Sequence, residues 1–191
     1  MKKCKCIMAG AAALLISGLA ACGGGGGGAN NPGGGGCDST GFSQVSSSNI
    51  TLKWKVEGTN LKVRVTAPTT GWVALGIMAD PTPQNLMNGS NLIIGYYSGG
   101  AVSIRDDFAD TQISHQPDLD LGGTNDVSET CGSESGGVTE IGFTIPLDSG
   151  DAYDIALTPG TTYNLGLAYA ADGADTFVPK HAFRVLVQQA F

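Results

Sequence analysis

The chain has 191 residues, a formal charge of −7 and 30 glycines, many of them in one run near the N-terminus. Its 17 acidic against 10 basic residues argue against nucleic acid and anionic lipid surfaces as partners, since both select basic faces. The length beyond a leader and a tether suffices for one domain with its own core.

Residues 1–21 read as an export leader. Lys2, Lys3 and Lys5 precede the stretch Ile7 to Leu19, which is too short and too rich in Gly and Ala to favour a permanent membrane span. Leu19-Ala20-Ala21-Cys22 resembles the lipobox of bacterial lipoproteins, in which Cys22 becomes the lipidated first residue. An ordinary leader cleaved at Ala-x-Ala is the alternative. Residues 22–36 form a glycine-rich tether, a composition that buries no apolar surface and behaves as a flexible coil. The expected location is therefore the cell envelope, with a lipid anchor. Gly23, rather than an aspartate, follows Cys22, which points to the outer membrane. Cleavage removes three basic residues and no acidic one, so the mature protein is more acidic still. That surface is compatible with a basic redox partner, although solubility alone accounts for it.

Cys4 and Cys6 leave with the leader, and Cys22 is the lipid candidate. Cys37 and Cys131 remain in residues 37–191, where an oxidising compartment favours a disulfide between them. No CxxC pair is present, which disfavours a thiolate zinc or iron–sulfur site.

From Ile50 the hydrophobic period is two. Ile50, Leu52, Trp54 and Val56 alternate with polar residues, Glu57 to Asn60 forms a turn, and Leu61, Val63, Val65 and Ala67 continue the alternation, which predicts an antiparallel hairpin. Trp72–Met78 is apolar on both faces and is expected to be a central strand, as is Leu92–Tyr97. Between them lies a proline-marked loop with Met87 near its end. Ala101–Asp106, Val138–Ile145, Tyr163–Tyr169 and Ala182–Val187 are further predicted strands; Asp107 to Gly137 is polar and irregular, and a loop spans Ala170 to His181. No amphipathic helix is evident. The predicted fold is all-β, an antiparallel immunoglobulin-like β-sandwich.

The sequence has no nucleophile elbow, phosphate-binding loop, HExxH or dinucleotide fingerprint. His115, in a polar Ser-His-Gln-Pro-Asp loop, reads as exposed and without a role. Asp118, Asp120, Asp126 and Glu129 lack the spacing of a calcium loop and read as a solvated acidic stretch.

The segment GWVALGI, a methionine ahead of NLIIGYYSGGAVSIRDDFA, and the later EIGFTIPLDSGDAYDIALTPGTTYNLGLAYAADGADTFVPKHAF resemble the DOMON superfamily, over roughly Ile50 to Val187. The resemblance implies a sandwich that binds b-type haem or a sugar. In its haem-binding members, such as the cytochrome domain of cellobiose dehydrogenase, a methionine and a histidine ligate the iron, and the matching positions are Met87 and His181. Lys180 is the alternative to His181, because some related subunits of molybdenum dehydrogenases pair lysine with methionine. Thioether and imidazole on opposite faces favour ferrous iron, and without CxxCH the haem would be held non-covalently, as haem b. Expected pocket walls are Trp72, Leu86, Ile94, Tyr96, Phe177, Val178 and Phe183. Two protein ligands leave no open position on the iron, so the expectation is an electron carrier and not an enzyme, working with redox protein partners. A haem-free sugar- or ligand-binding module is the rival reading.

Overall fold

The computed structural model describes residues 37–78 and 87–191. The leader, Cys22, the tether and Leu86 lie outside the described residues. Strand β1 (Ser43–Ser47) precedes the hairpin of β2 (Ile50–Glu57) and β3 (Asn60–Ala67), whose turn places Gly58 at φ +63°. Next come β4 (Val73–Met78), β5 (Asn91–Ser98) and β6 (Ala101–Phe108), then the short β7 (Gln116–Pro117) and a one-turn helix α1 (Asp118–Leu121). The chain closes with β8 (Ser128–Ser135), β9 (Val138–Pro146), β10 (Thr162–Ala170) and β11 (His181–Ala190).

These strands form two antiparallel sheets packed as a sandwich. One has the order β1-β2-β3-β9-β8, the other β11-β10-β4-β5-β6-β7. Alternation sorts the side chains between the core and the outer faces. Leu52, Val63, Val65, Ile141 and Phe143 of the first sheet meet Val73, Leu75, Ile77, Ile93, Leu165 and Leu167 of the second, all fully buried. The residues between them in sequence on β4, β5 and β10 (Ala74, Gly76, Leu92, Ile94, Gly166 and Ala168) belong to the opposite, outer face. β4 is buried along its whole length because that outer face is also covered, which is why its sequence shows no polar alternation.

Each predicted strand is present. Besides the two-residue β7, two observed strands, β1 and β8, fall where the sequence reads as polar. Both are edge strands of the first sheet, so each has one neighbour and few buried side chains, and Ser-Gln-Val-Ser-Ser or Ser-Glu-Thr-Cys-Gly suffices there. The expected disulfide forms between Cys37 and Cys131, with a Cα–Cα distance of 5.7 Å, and ties the start of the domain to β8. Glu140 on β9 fixes the same end by accepting a hydrogen bond from the Cys37 backbone N–H at 2.8 Å.

Candidate functional site

A cavity of about 570 Å3 opens on the outer face of the six-stranded sheet. That volume lies within the range of about 300–1,000 Å3 typical of small-molecule sites. Ala74, Gly76, Gly166 and Ala168 line it from the adjacent strands β4 and β10, where Gly76 pairs with Gly166 and Ala74 with Ala168. Four small residues in a block make a flat floor. The floor is also shallow: a Cβ on Gly166 would lie 2.5 Å from the Met78 methyl, and one on Gly76 would lie 2.7 Å from a Leu92 methyl. Larger residues there would push Met78 and Leu92 into the opening.

Met87 and His181, far apart in sequence, line this one cavity together with Lys180. Met87 stands at the turn into β5, where its carbonyl accepts the Ser90 N–H at 2.9 Å, while the Gly89 N–H donates to the Ala109 carbonyl and the Ala109 N–H to the Ser90 carbonyl. His181 reaches the cavity through a β-bulge. The β10–β11 ladder pairs Tyr169 with Phe183 but Ala170 with His181, which leaves Ala182 as an extra residue. Strict alternation would turn His181 to the core beside Phe183; the bulge returns it to the face of Ala170. Burial lowers the His181 imidazole below its ordinary pKa, helped by the positive charges of Arg184 and Lys180. A neutral imidazole with a free lone pair is the form that ligates a metal.

Of the other expected wall residues, Trp72, Ile94 and Val178 line the cavity. Tyr96 and Phe177 instead pack on each other at 5.1 Å between ring centroids, in a small cluster with Trp72, Ala74, Ile94 and Ala170. Phe183, on the other side of the bulge from His181, stacks on Tyr169 and packs against the main core, so period-two geometry removes it from the wall. Leu86 lies outside the described residues. Exposed apolar side chains concentrate at the opening: Ile113 is 92% and Val178 90% exposed, and with Leu186 they line the same cavity. Such a cluster of wet apolar groups marks a surface that gains by taking up an apolar occupant.

His115 corrects the sequence reading. It is half-buried and lines the cavity. Its Nδ1 lies 2.5 Å from Asp107, a fully buried carboxylate that also accepts two hydrogen bonds from Arg105, at 2.5 and 2.6 Å. Arg105 in turn lies 4.4 Å above the Phe177 ring. A carboxylate behind one ring nitrogen fixes the orientation of an imidazole and leaves the other nitrogen for a ligand or solvent. The contact from Asp107, eight residues earlier on the neighbouring strand β6, distinguishes this histidine from a solvated one.

The donor set and the shape fit a b-type haem. A thioether and two imidazoles are soft and borderline donors, the floor is flat, and Lys180 and Arg184 supply positive charge beside an apolar slot. The acidic stretch is corrected in part: Asp118 is fully buried and Asp126 gathers with Asp106 and Asp154 away from the cavity lining, whereas Asp120 and Glu129 are exposed as expected.

Comparison with known proteins agrees with this architecture. A search of curated proteins finds no match. Among solved structures, the cytochrome b domain of pyranose dehydrogenase from Coprinopsis cinerea is similar, with a TM-score of 0.58 at 12% identity over 78% of this chain and 81% of that one. The cytochrome domain of cellobiose dehydrogenase from Myriococcum thermophilum gives 0.52 at 13% identity, again over 78% and 81%. At such identities the likeness speaks for the fold. The family model for the DOMON domain matches residues 46–170, from within β1 to the end of β10, and stops short of His181. On that match, the chain belongs to the DOMON domain family.

Proposed function

We propose that this protein is a b-type haem-binding electron carrier, in which Met87 and His181 would ligate the iron, anchored to the cell envelope through Cys22. The observation that carries the reading is the convergence of a methionine and a histidine, from distant parts of the chain, on one apolar cavity with a flat floor of small residues. The similarity to two cytochrome domains supports it.

Bound haem would supply a one-electron couple, raised in potential by thioether ligation. The chain's own residues do the rest. Met87 is held by the turn that its carbonyl closes with Ser90, and His181 by the bulge on β11. Trp72, Ile94 and Leu92 exclude water along one side, and the Trp72 indole N–H donates to the Pro179 carbonyl at 3.0 Å, which ties the loop before His181 to the sheet. Lys180 and Arg184 lie where the carboxylates of a haem edge would find counter-charges. Two protein ligands leave no coordination position for substrate, so the role is transfer of electrons between protein partners and not catalysis on a small molecule. An acidic surface suits a basic partner.

The leader and lipobox-like segment support an anchored protein, and the glycine tether would hold the domain clear of the membrane surface. The rival reading, a surface-displayed sugar- or ligand-binding module without haem, draws on the same open cavity. Loading the purified protein with haem and recording oxidised and reduced visible spectra, beside calorimetric titration with polysaccharides, separates them. A Soret band with sharp reduced bands and no polysaccharide heat is the expected result. A colourless protein that binds a polysaccharide would replace the cytochrome reading with its rival.

A further inference from the structure

On the far side of Asp107 from His115, the structure gathers carboxylates that the cavity does not use. Asp106 near the end of β6 is 2% exposed; it accepts the Asp126 backbone N–H through one oxygen at 3.1 Å, and its other oxygen, Oδ1, has no hydrogen-bond partner. Asp126 comes from the segment before β8, and Asp154 from the loop between β9 and β10. One carboxylate oxygen from each of the three lies within 4.8 Å of the others.

Two neighbours outside this trio point to an occupant. Asn91, at the start of β5 and 3% exposed, donates through Nδ2 to Asp154, which seats its amide against the cluster, and its Oδ1 has no partner. Asp118, fully buried at the start of α1, has no partner on either oxygen. The leading charges acting on Asp106 and Asp118 are other carboxylates, Asp154 foremost, with no basic side chain among them. A buried polar atom without a partner costs about 1–3 kcal/mol, and more when charged, so several such oxygens together call for a positive group between them. Desolvation and the like charges raise Asp106 to about 8 and Asp118 to about 7, as expected of carboxylates lacking a counter-ion.

We propose that Asp106, Asp126 and Asp154, completed by Asn91 and Asp118, form a binding site for Ca2+. The donors are all oxygen, which selects a hard cation. Five oxygen-bearing side chains from separate segments suit the 6–8 flexible ligands of Ca2+ better than Mg2+, which keeps most of its water and an octahedral shell. Turning the Asn91 amide over exchanges its nitrogen and oxygen and presents Oδ1 to the cation. The bound ion joins the start of β5 and the end of β6 to the loops preceding β8 and β10. It serves the fold whatever fills the cavity.

The test uses the purified protein, freed of metal with a chelator and studied at about pH 8, where the carboxylates ionise. Calorimetric titration with CaCl2 should show one ion per chain, and Tm should rise by about 5–10 °C at a hundredfold excess over Kd. Asp126→Asn keeps the shape at a half-buried loop position, so the variant should fold, with Ca2+ binding weakened by about tenfold or more. Asp106→Asn removes a buried charge; it should raise Tm in chelator and abolish the response to Ca2+. No heat and no shift with CaCl2, an equal response in Asp126→Asn, or a stronger response to MgCl2 would each overturn the proposal.

Discussion

His181 sits two residues from Phe183, yet the two side chains belong to opposite sides of one sheet. A single extra residue, Ala182, makes the difference. The resemblance to DOMON proteins reaches His181 directly from sequence, but its access to the cavity depends on a register shift that no local pattern announces. His115, Asp118 and Asp126 were illegible for the same kind of reason. Each lies in a polar stretch, and its surroundings (Asp107 beside His115, Asp106 and Asp154 beside Asp126, the charge of Asp154 acting on Asp118) are assembled only by the fold. The acidic cluster also sets a pH dependence at this scale. In the metal-free protein Asp106 and Asp118 hold their protons up to about 8 and about 7, whereas the unfolded chain releases them near 4. The folded state therefore binds more protons across that window, and stability falls as pH rises through it. Thermal melts in chelator should show Tm falling from pH 5 to 8 by more in the parent than in an Asp106→Asn, Asp118→Asn double variant. Equal slopes in the two proteins would contradict the account.

At the level of elements, β4 and β10 do most to define the site. Their odd-numbered residues build the core, and on the other face Ala74, Gly76, Gly166 and Ala168 are small and form the floor of the cavity. The central place of β4 was legible because a strand covered on both faces reads as an unbroken apolar run. The edge strands β1 and β8 were not, since an edge with one neighbour needs little hydrophobicity. The glycine floor can be tested apart from the ligands. In Gly166→Val the new Cβ meets the flexible end of Met78, and strand pairing tolerates a β-branched residue. Folding should survive with a loss of about 1–3 kcal/mol, while haem affinity measured by titration falls about tenfold or more. Unchanged affinity would show that the floor does not contact the ligand.

The described domain is a sandwich whose two sheets carry different duties. The six-stranded sheet holds the cavity on its outer face, and the five-stranded sheet is tied by the disulfide to Cys37 at the start of the described residues. The loop closed by Cys37 and Cys131 spans a sequence separation of 94, so the bridge removes much freedom from the unfolded chain. Replacing both cysteines by serine should cost about 2–5 kcal/mol in denaturant unfolding and leave the visible spectrum of the loaded protein intact, because the bridge lies on the other sheet. A changed spectrum would contradict this separation of the bridge from the cavity. The central claim is ligation by two side chains brought together only by the fold. Its most direct measurement is the visible spectrum of the haem-loaded protein beside those of Met87→Ala, His181→Ala and His115→Ala. The account predicts a low-spin spectrum in the parent and in His115→Ala, and a high-spin or haem-free protein in each of the other two. A low-spin spectrum that survives loss of Met87 or His181, or one that disappears with His115, would contradict it.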